Sequence, residues 1–315
     1  MKEFKTIEQQ ITLLSERGLS FYSEEYTKDI LMTYGYYEII NGYSLPFFEK
    51  GCSDKYKPNT SFEEIYSLFE FDKKLRVITF DLLQDIESQL KTIVSYRVAE
   101  KYGDLETDYL KRENYKSGKK YSDGYKIDKI IDKFKKIIAD DTQPFKHYRE
   151  KHGNCPPWIL LKGATFGNIV NFIKLQKSEV KKQIVADFFD VPLLMVDSDP
   201  NFITYFIEML YVLLKYRNRT AHGGRLYNYT PSDCKITFYH ILHDAMGINN
   251  ALYRKGFGQN DWNTILTFIH FMKNKSSSNN FKTNFLDLIN EYIAKSEHVN
   301  YILRTEMKLS ENIIS

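Results

Sequence analysis

The chain has 315 residues, with 44 Lys or Arg against 41 Asp or Glu, a formal net charge of +3 and 43% apolar residues. The apolar residues are spread along the whole length, but no run reaches the roughly 18–20 residues of a membrane span, and the opening MKEFKTIEQQ carries no apolar signal region. Three well-separated cysteines (Cys52, Cys155, Cys234) speak against a disulfide scaffold, so the expectation is a cytoplasmic protein of one large or two small domains.

The first 35 residues are amphipathic, and a second helix is predicted from about Ser23 to Tyr34. Residues 35–60 hold Gly35, Gly42, Pro46, Gly51 and Pro58 and read as an aromatic-rich loop with short extended pieces. Ser61-Phe62-Glu63-Glu64 has the form of a capping box and opens a helical pattern running to about Tyr102. Phe80, Leu83, Leu90 and Val94 form its apolar stripe, which Glu87 interrupts. Residues 103–125 look loop-like and 126–140 helical, and His147 to Gly167 reads as irregular around Pro156-Pro157-Trp158. Helices are predicted at 168–178 and 180–190. Another spans 200–222, with Asp199 as N-cap and Pro200 at the first helical position. Its stripe is Ile203, Phe206, Ile207, Leu210, Leu213 and Leu214, and Gly223-Gly224 closes it. Thr230-Pro231-Ser232-Asp233 predicts a helix over about 232–245, Lys273 to Asn280 a polar linker, and a last helix starts near 283. The class is all-α without internal repeat. The divisions expected are an N-terminal segment 1–60, a helical core 61–245 with a basic insertion at about 103–165, and a C-terminal extension 246–315.

The 200–222 helix ends in Arg217-Asn218-Arg219-Thr220-Ala221-His222. RNA cleavage without a metal needs a group that exchanges a proton near neutrality and a cation for a crowded phosphate. Arg217, Asn218 and His222 supply those types within about one turn, and they are the candidate catalytic residues. An R-x4-6-H spacing alone is a weak signal. Its plain reading is an arginine paired with a core carboxylate beside a polar helix end. Arg217 is the next position on the apolar stripe, so its guanidinium needs a partner. Glu87 is the candidate, either as that partner or as a group that orients the site; the alternative is an ion pair with Lys91 one turn on. His222 sits in the last turn, where carbonyl dipoles favour a cation. Arg219 lies about 200° around the helix from Arg217 and is expected to face solvent or RNA, and Arg225 is within reach of a phosphate near the site.

Residues 111–136 carry ten Lys or Arg against four acids, with Tyr115, Tyr121, Tyr125 and Phe134 among them. Basic residues interleaved with aromatics suit RNA, through phosphate contacts and base stacking. The candidate RNA contacts are Lys111, Arg112, Lys119 and Lys120, a second cluster of Lys174, Lys177, Lys181 and Lys182, and Arg219 and Arg225. A solvated face in a lysine-rich chain is the plain alternative. His147, His152 and Cys155 match no standard zinc spacing, and His240 and His243 are a common helical pair, so no metal site is read from them. Walker, G-x-S-x-G and Rossmann patterns are missing, and no cofactor is expected.

Several segments carry a family likeness. They are Tyr34-Gly35-Tyr36-Tyr37 with Ile40-Asn41-Gly42-Tyr43 and Pro46-Phe47; Phe71 to Arg76 with Asp85-Ile86-Glu87 and Lys91-Thr92; Pro157-Trp158 and Thr165-Phe166-Gly167; and Arg217-Asn218 through Ala221-His222 to Gly224-Arg225-Leu226-Tyr227-Asn228. In this order, over about residues 30 to 245, they resemble the Abi-like (abortive-infection) bacterial proteins of the HEPN superfamily. The resemblance implies an all-α, HEPN-type helical bundle with N-terminal and C-terminal helical additions. It also implies metal-independent endoribonuclease chemistry, in phage defence or toxin-like growth arrest. Such sites usually join two R-x4-6-H motifs; this chain has one, which implies a homodimer whose interface buries Arg217. RNA is the expected partner, as substrate and also as a structured non-coding RNA. The alternative is a non-catalytic RNA-binding scaffold, or a toxin silenced by RNA, and Glu87 facing Arg217 within one subunit would favour the structural version.

Overall fold

The computed structural model describes residues 3–295 and 297–309, which are mainly helical with one two-stranded sheet. They group into two compact units. The first takes the described parts of Met1–Thr79, Arg219–Tyr229 and Phe281–Ser315, and the second takes Phe80–Asn218 and Thr230–Asn280. No helix among the described residues is long and apolar enough to cross a membrane.

In the first unit, the helix Ile7–Glu16 starts on a capping box made by Thr6 and Gln9, and Glu24–Tyr34 starts where the Ser23 hydroxyl accepts the Tyr26 amide at 3.2 Å. The glycine- and proline-punctuated stretch that follows forms a π-helical turn at Tyr37–Asn41 and a 3-10 turn at Leu45–Phe47. The long helix Phe62–Tyr102 begins on the predicted capping box: the Glu64 amide donates to the Ser61 hydroxyl at 3.2 Å and the Ser61 amide to the Glu64 carboxylate at 3.0 Å. Apolar burial in this unit is strongly aromatic, with Phe69 packed at 4.9 Å from Tyr34 and 5.5 Å from Tyr43 between ring centroids.

In the second unit, the helices Phe166–Leu175, Ser178–Phe189 and Pro200–Ala221 each bury a continuous apolar face. Phe188 lies 5.4 Å from both Phe206 and Phe268, and Tyr216 lies edge-on to Trp262 at 5.4 Å. Arg97 of the long helix grips Asp187 through two charge-assisted bonds, at 2.6 and 2.7 Å.

Four sequence expectations change. Residues 103–125 are not plain loop: they hold a short helix, Glu106–Tyr109, and a hairpin pairing Lys120–Tyr121 with Gly124–Tyr125. The stretch expected to be irregular after His147 includes the helix Phe145–His152, which Gly153 ends in the left-handed conformation at φ 64°, and the turn Pro157–Leu160. The helix expected over 232–245 shrinks to His240–Ala245. There the Asn260 amide donates to the carbonyls of Pro231 at 2.7 Å and Cys234 at 2.8 Å, and the Ile236 amide bonds Gln259 O at 2.8 Å, so a distant segment holds groups a helix would need. Finally, Lys273 to Asn280 is no linker, because the helix Lys275–Ile293 starts within it. Asn274 accepts the Ser277 amide at 3.2 Å, and the buried Ser278 donates to Ile269 O at 2.6 Å. The helices Trp262–Phe271 and Glu297–Glu306 complete the C-terminal region.

Candidate functional site

The motif helix Pro200–Ala221 opens as expected, with the Asp199 carboxylate accepting the Asn201 amide at 2.9 Å. Its buried face is centred on Phe206, Met209, Leu213 and Tyr216, all fully buried. Arg217 therefore stands at the edge of that face and not in it. Its side chain keeps 32% exposure, with the Nε atom buried. The sequence reading placed it deeper because it counted Ile203, Ile207 and Leu214, which are only half-buried, and passed over Met209 and Tyr216.

Glu87 serves both partners foreseen for it. Its carboxylate is 2.9 Å from Lys91 Nζ and 3.7 Å from Arg217 Nε. The shorter contact goes to lysine and the guanidinium is held at longer range, so one carboxylate lies between two cations. Lys91 Nζ also reaches Lys162 O at 3.5 Å. Asn218 is exposed next to Arg217.

Residues 219–229 belong to the first unit. The helix ends in a Schellman arrangement: the Gly224 amide donates to Arg219 O at 3.0 Å and the Gly223 amide to Thr220 O at 3.2 Å, with Gly223 at φ 69°. His222 is thereby the C-cap residue, and it is exposed. Arg219 turns back on its own loop. Its Nε donates to Arg225 O at 2.9 Å and its guanidinium lies 5.2 Å from the Tyr229 ring. Gly224 leaves the room for this, since a Cβ there would strike the Arg219 side chain. Arg225 does not extend toward solvent. It donates to Gly42 O and lies 5.9 Å from the Tyr227 ring.

What anchors this loop is a group that sequence reasoning left without a role. Asp72 is fully buried. It accepts the amides of Leu226 at 2.8 Å and Tyr227 at 2.6 Å and the Tyr43 hydroxyl at 2.7 Å, and it pairs with Arg76. Burial pushes the Asp72 carboxyl upward from its ordinary pKa, and Arg76, Tyr43 and the two amides oppose that push. The i,i+4 spacing of Asp72 and Arg76 was visible in the sequence; the bonds to residues 226 and 227 were not.

The basic candidates divide. Lys111 is tied to Asp108 at 2.9 Å, Arg112 to Asp128 at 3.1 Å, and Lys182 to Asp197 at 2.6 Å. Lys119 lies 5.6 Å from the Tyr121 ring and Lys174 5.1 Å from the Tyr211 ring. Lys120 and Lys177 are exposed. His147 and His152 pack ring to ring at 5.4 Å in their short helix.

A protein-family model described as Abi-like protein matches residues 29–228, well over half of the chain. No curated protein and no solved structure matches. The matched span takes in Tyr43, Asp72, Glu87 and the whole segment from Arg217 to Tyr227.

Proposed function

The chain belongs to the Abi-like protein family, the family of bacterial abortive-infection proteins, and from that premise we propose that it is a metal-independent endoribonuclease working from Arg217, Asn218 and His222. The observation that carries this reading is His222, an exposed C-cap residue five positions after a partly exposed Arg217. One His222 takes the proton from an RNA 2′-OH, whose oxygen attacks the adjacent phosphorus; the leaving 5′-oxygen is protonated by a second His222 or by water. Arg217 stabilises the added charge of the pentacoordinate phosphorane through its planar donor fork, and Asn218 orients the phosphate or the imidazole. The products are a 2′,3′-cyclic phosphate and a 5′-hydroxyl. A second His222 and a second Arg217 come from a homodimer, so the active form in this reading is dimeric.

The test is RNA cleavage in EDTA by the wild type, Arg217→Ala and His222→Ala, with folding and dimerisation checked for each. Cyclic-phosphate ends made by the wild type and lost in both folded, dimeric variants support the reading. Products with 3′-hydroxyl ends and an absolute Mg2+ requirement would sink it.

One observation favours a second reading. The Glu87–Arg217 contact within a single chain is what a structural ion pair would make. On that view the protein is an RNA-binding scaffold, or a toxin silenced by a structured RNA. It would bind RNA tightly and salt-sensitively with no cleavage in any of the three proteins.

A further inference from the structure

In the second unit, Lys116, Lys119, Lys174 and Lys181 are among the lysines that have no carboxylate within ion-pair distance among the described residues, whereas Lys111, Lys129 and Lys182 each have one. Backbone and side-chain contacts bring Lys116, Lys174 and Lys181 together, and Lys119 follows Lys116 by three positions. The Lys116 amide donates to Leu175 O at 2.8 Å, and Tyr115 bridges to Gln176, so the strand-like stretch carrying Lys116 runs against the end of the Phe166–Leu175 helix. Lys181 reaches back from the next helix and donates to Lys174 O at 2.7 Å, leaving two of its three N–H groups for another acceptor. Lys174 is steadied over the Tyr211 ring, and Lys119 over Tyr121. Lys129 also lies over the Tyr121 ring, at 4.3 Å, but it is neutralised by Asp123 at 2.9 Å and acts as a brace.

Gathering like charges without an acid costs free energy. The cost shows on Lys181: burial first, then Lys116 and Lys174, push its pKa down to about 8. The C-terminal carbonyls of the 166–175 helix account for one cation, the one Lys181 places on Lys174 O, and none of the other three has an acid within ion-pair distance among the described residues.

We propose that Lys116, Lys119, Lys174 and Lys181 form a binding patch for the phosphates of a single-stranded RNA. Lys116, Lys119 and Lys174 are exposed and Lys181 is half-buried, and open cations suit a repeating anion better than a single one. The strand's phosphates replace the missing carboxylates, and the tyrosines hold the ammonium groups in place before it arrives. The identification of the polyanion as RNA rests on the proposed RNA-directed function; the patch itself rests on geometry. It also sorts the basic residues, because Lys111, Arg112 and Lys182 spend their charge on acids of the chain itself.

The test is fluorescence anisotropy of a fluorescein-labelled 12-nucleotide 2′-O-methyl RNA with the full chain, titrated at several salt concentrations. This probe has no 2′-OH to attack, so binding is read whether or not the protein is a nuclease. Each of Lys116→Gln, Lys174→Gln and Lys181→Gln should lower the slope of log affinity against log salt by ~0.7, the loss of one single-strand phosphate contact. Lys111→Gln, whose charge is already held by Asp108, should leave the slope at the wild-type value. Lys116 and Lys174 are exposed, so their variants keep the fold, as circular dichroism would verify. No binding by the wild type, or the wild-type slope retained in a folded Lys116→Gln/Lys174→Gln double variant, would overturn the proposal.

Discussion

The Asp72 carboxylate accepts the backbone amide of Tyr227 at 2.6 Å, across 155 positions of the chain. With the Leu226 amide on the same oxygen, the bond ties the segment after the motif to the long helix, so the turn holding His222 is fixed at both sides: by the Schellman end before it and by Asp72 after it. Arg76 and Tyr43 fill the remaining acceptor sites. A carboxylate with four donors and no solvent contact is a strong fixed point, because every one of its bonds is made in a low dielectric.

Asp72→Asn should therefore be among the most destabilising single changes in the first unit. It leaves the half-buried Arg76 against a neutral amide and turns one acceptor of a fully buried group into a donor, at a cost of about 3 kcal/mol. Urea denaturation would measure it. A loss below about 1 kcal/mol would mean the carboxylate is dispensable. Tyr43→Phe removes a hydrogen bond to the same carboxylate and one from Arg76 and should cost about 2 kcal/mol.

Gly223→Ala places a Cβ on a residue at φ 69°, which ends the helix in the left-handed region. The expected loss is about 1 kcal/mol, seen in thermal melting, together with reduced RNA cleavage, because the cap that presents His222 is strained. Unchanged melting and unchanged cleavage would separate His222 from the cap geometry.

Glu87→Gln keeps the size of the side chain and removes the charge between Lys91 and Arg217. If Glu87 orients Arg217 for chemistry, cleavage should fall about 10-fold with RNA affinity unchanged, as a misplaced group costs rate before binding. A loss of thermal stability with no change in cleavage would instead make the pair structural.

Lys181 offers a pH signature with two opposite signs. Its neighbours across the packing are Lys116 and Lys174, and its folded pKa is pushed down to about 8 from the ordinary lysine value of 10.5. Between those values the unfolded chain holds a proton the folded one has released, so raising the pH through this window favours folding. RNA binding needs the charged lysine and should weaken over the same window. Relative to Lys181→Gln, the wild type should gain stability and lose RNA affinity from pH 8 upward; parallel curves for the two proteins in both measurements would contradict the assignment.

Elements whose ends are written in neighbouring residues were legible without a structure. The capping box Ser61–Glu64, the Asp199-Pro200 start, and the Gly223-Gly224 stop all act within one turn, so residue type and spacing are enough to read them. The helix expected over 232–245 failed for the opposite reason. Its start signal is local, but Asn260 and Gln259 take its backbone groups from a part of the chain that sequence order does not reveal. The polar run Lys273 to Asn280 misled in the same way, because Ser278 is buried by tertiary packing.

The candidate site divides along that line as well. Residue type and spacing alone determined the all-α class, the family resemblance, and the motif of Arg217, Asn218 and His222, because these depend on what lies within a few positions. Tertiary structure alone decided that Arg217 sits at the edge of the buried face facing Glu87, that Asp72 holds the loop after His222, and which lysines are left without an acid. Those are facts of long-range contact: a charge is free or spent according to what the fold brings within a few ångströms of it, and no local pattern carries that information.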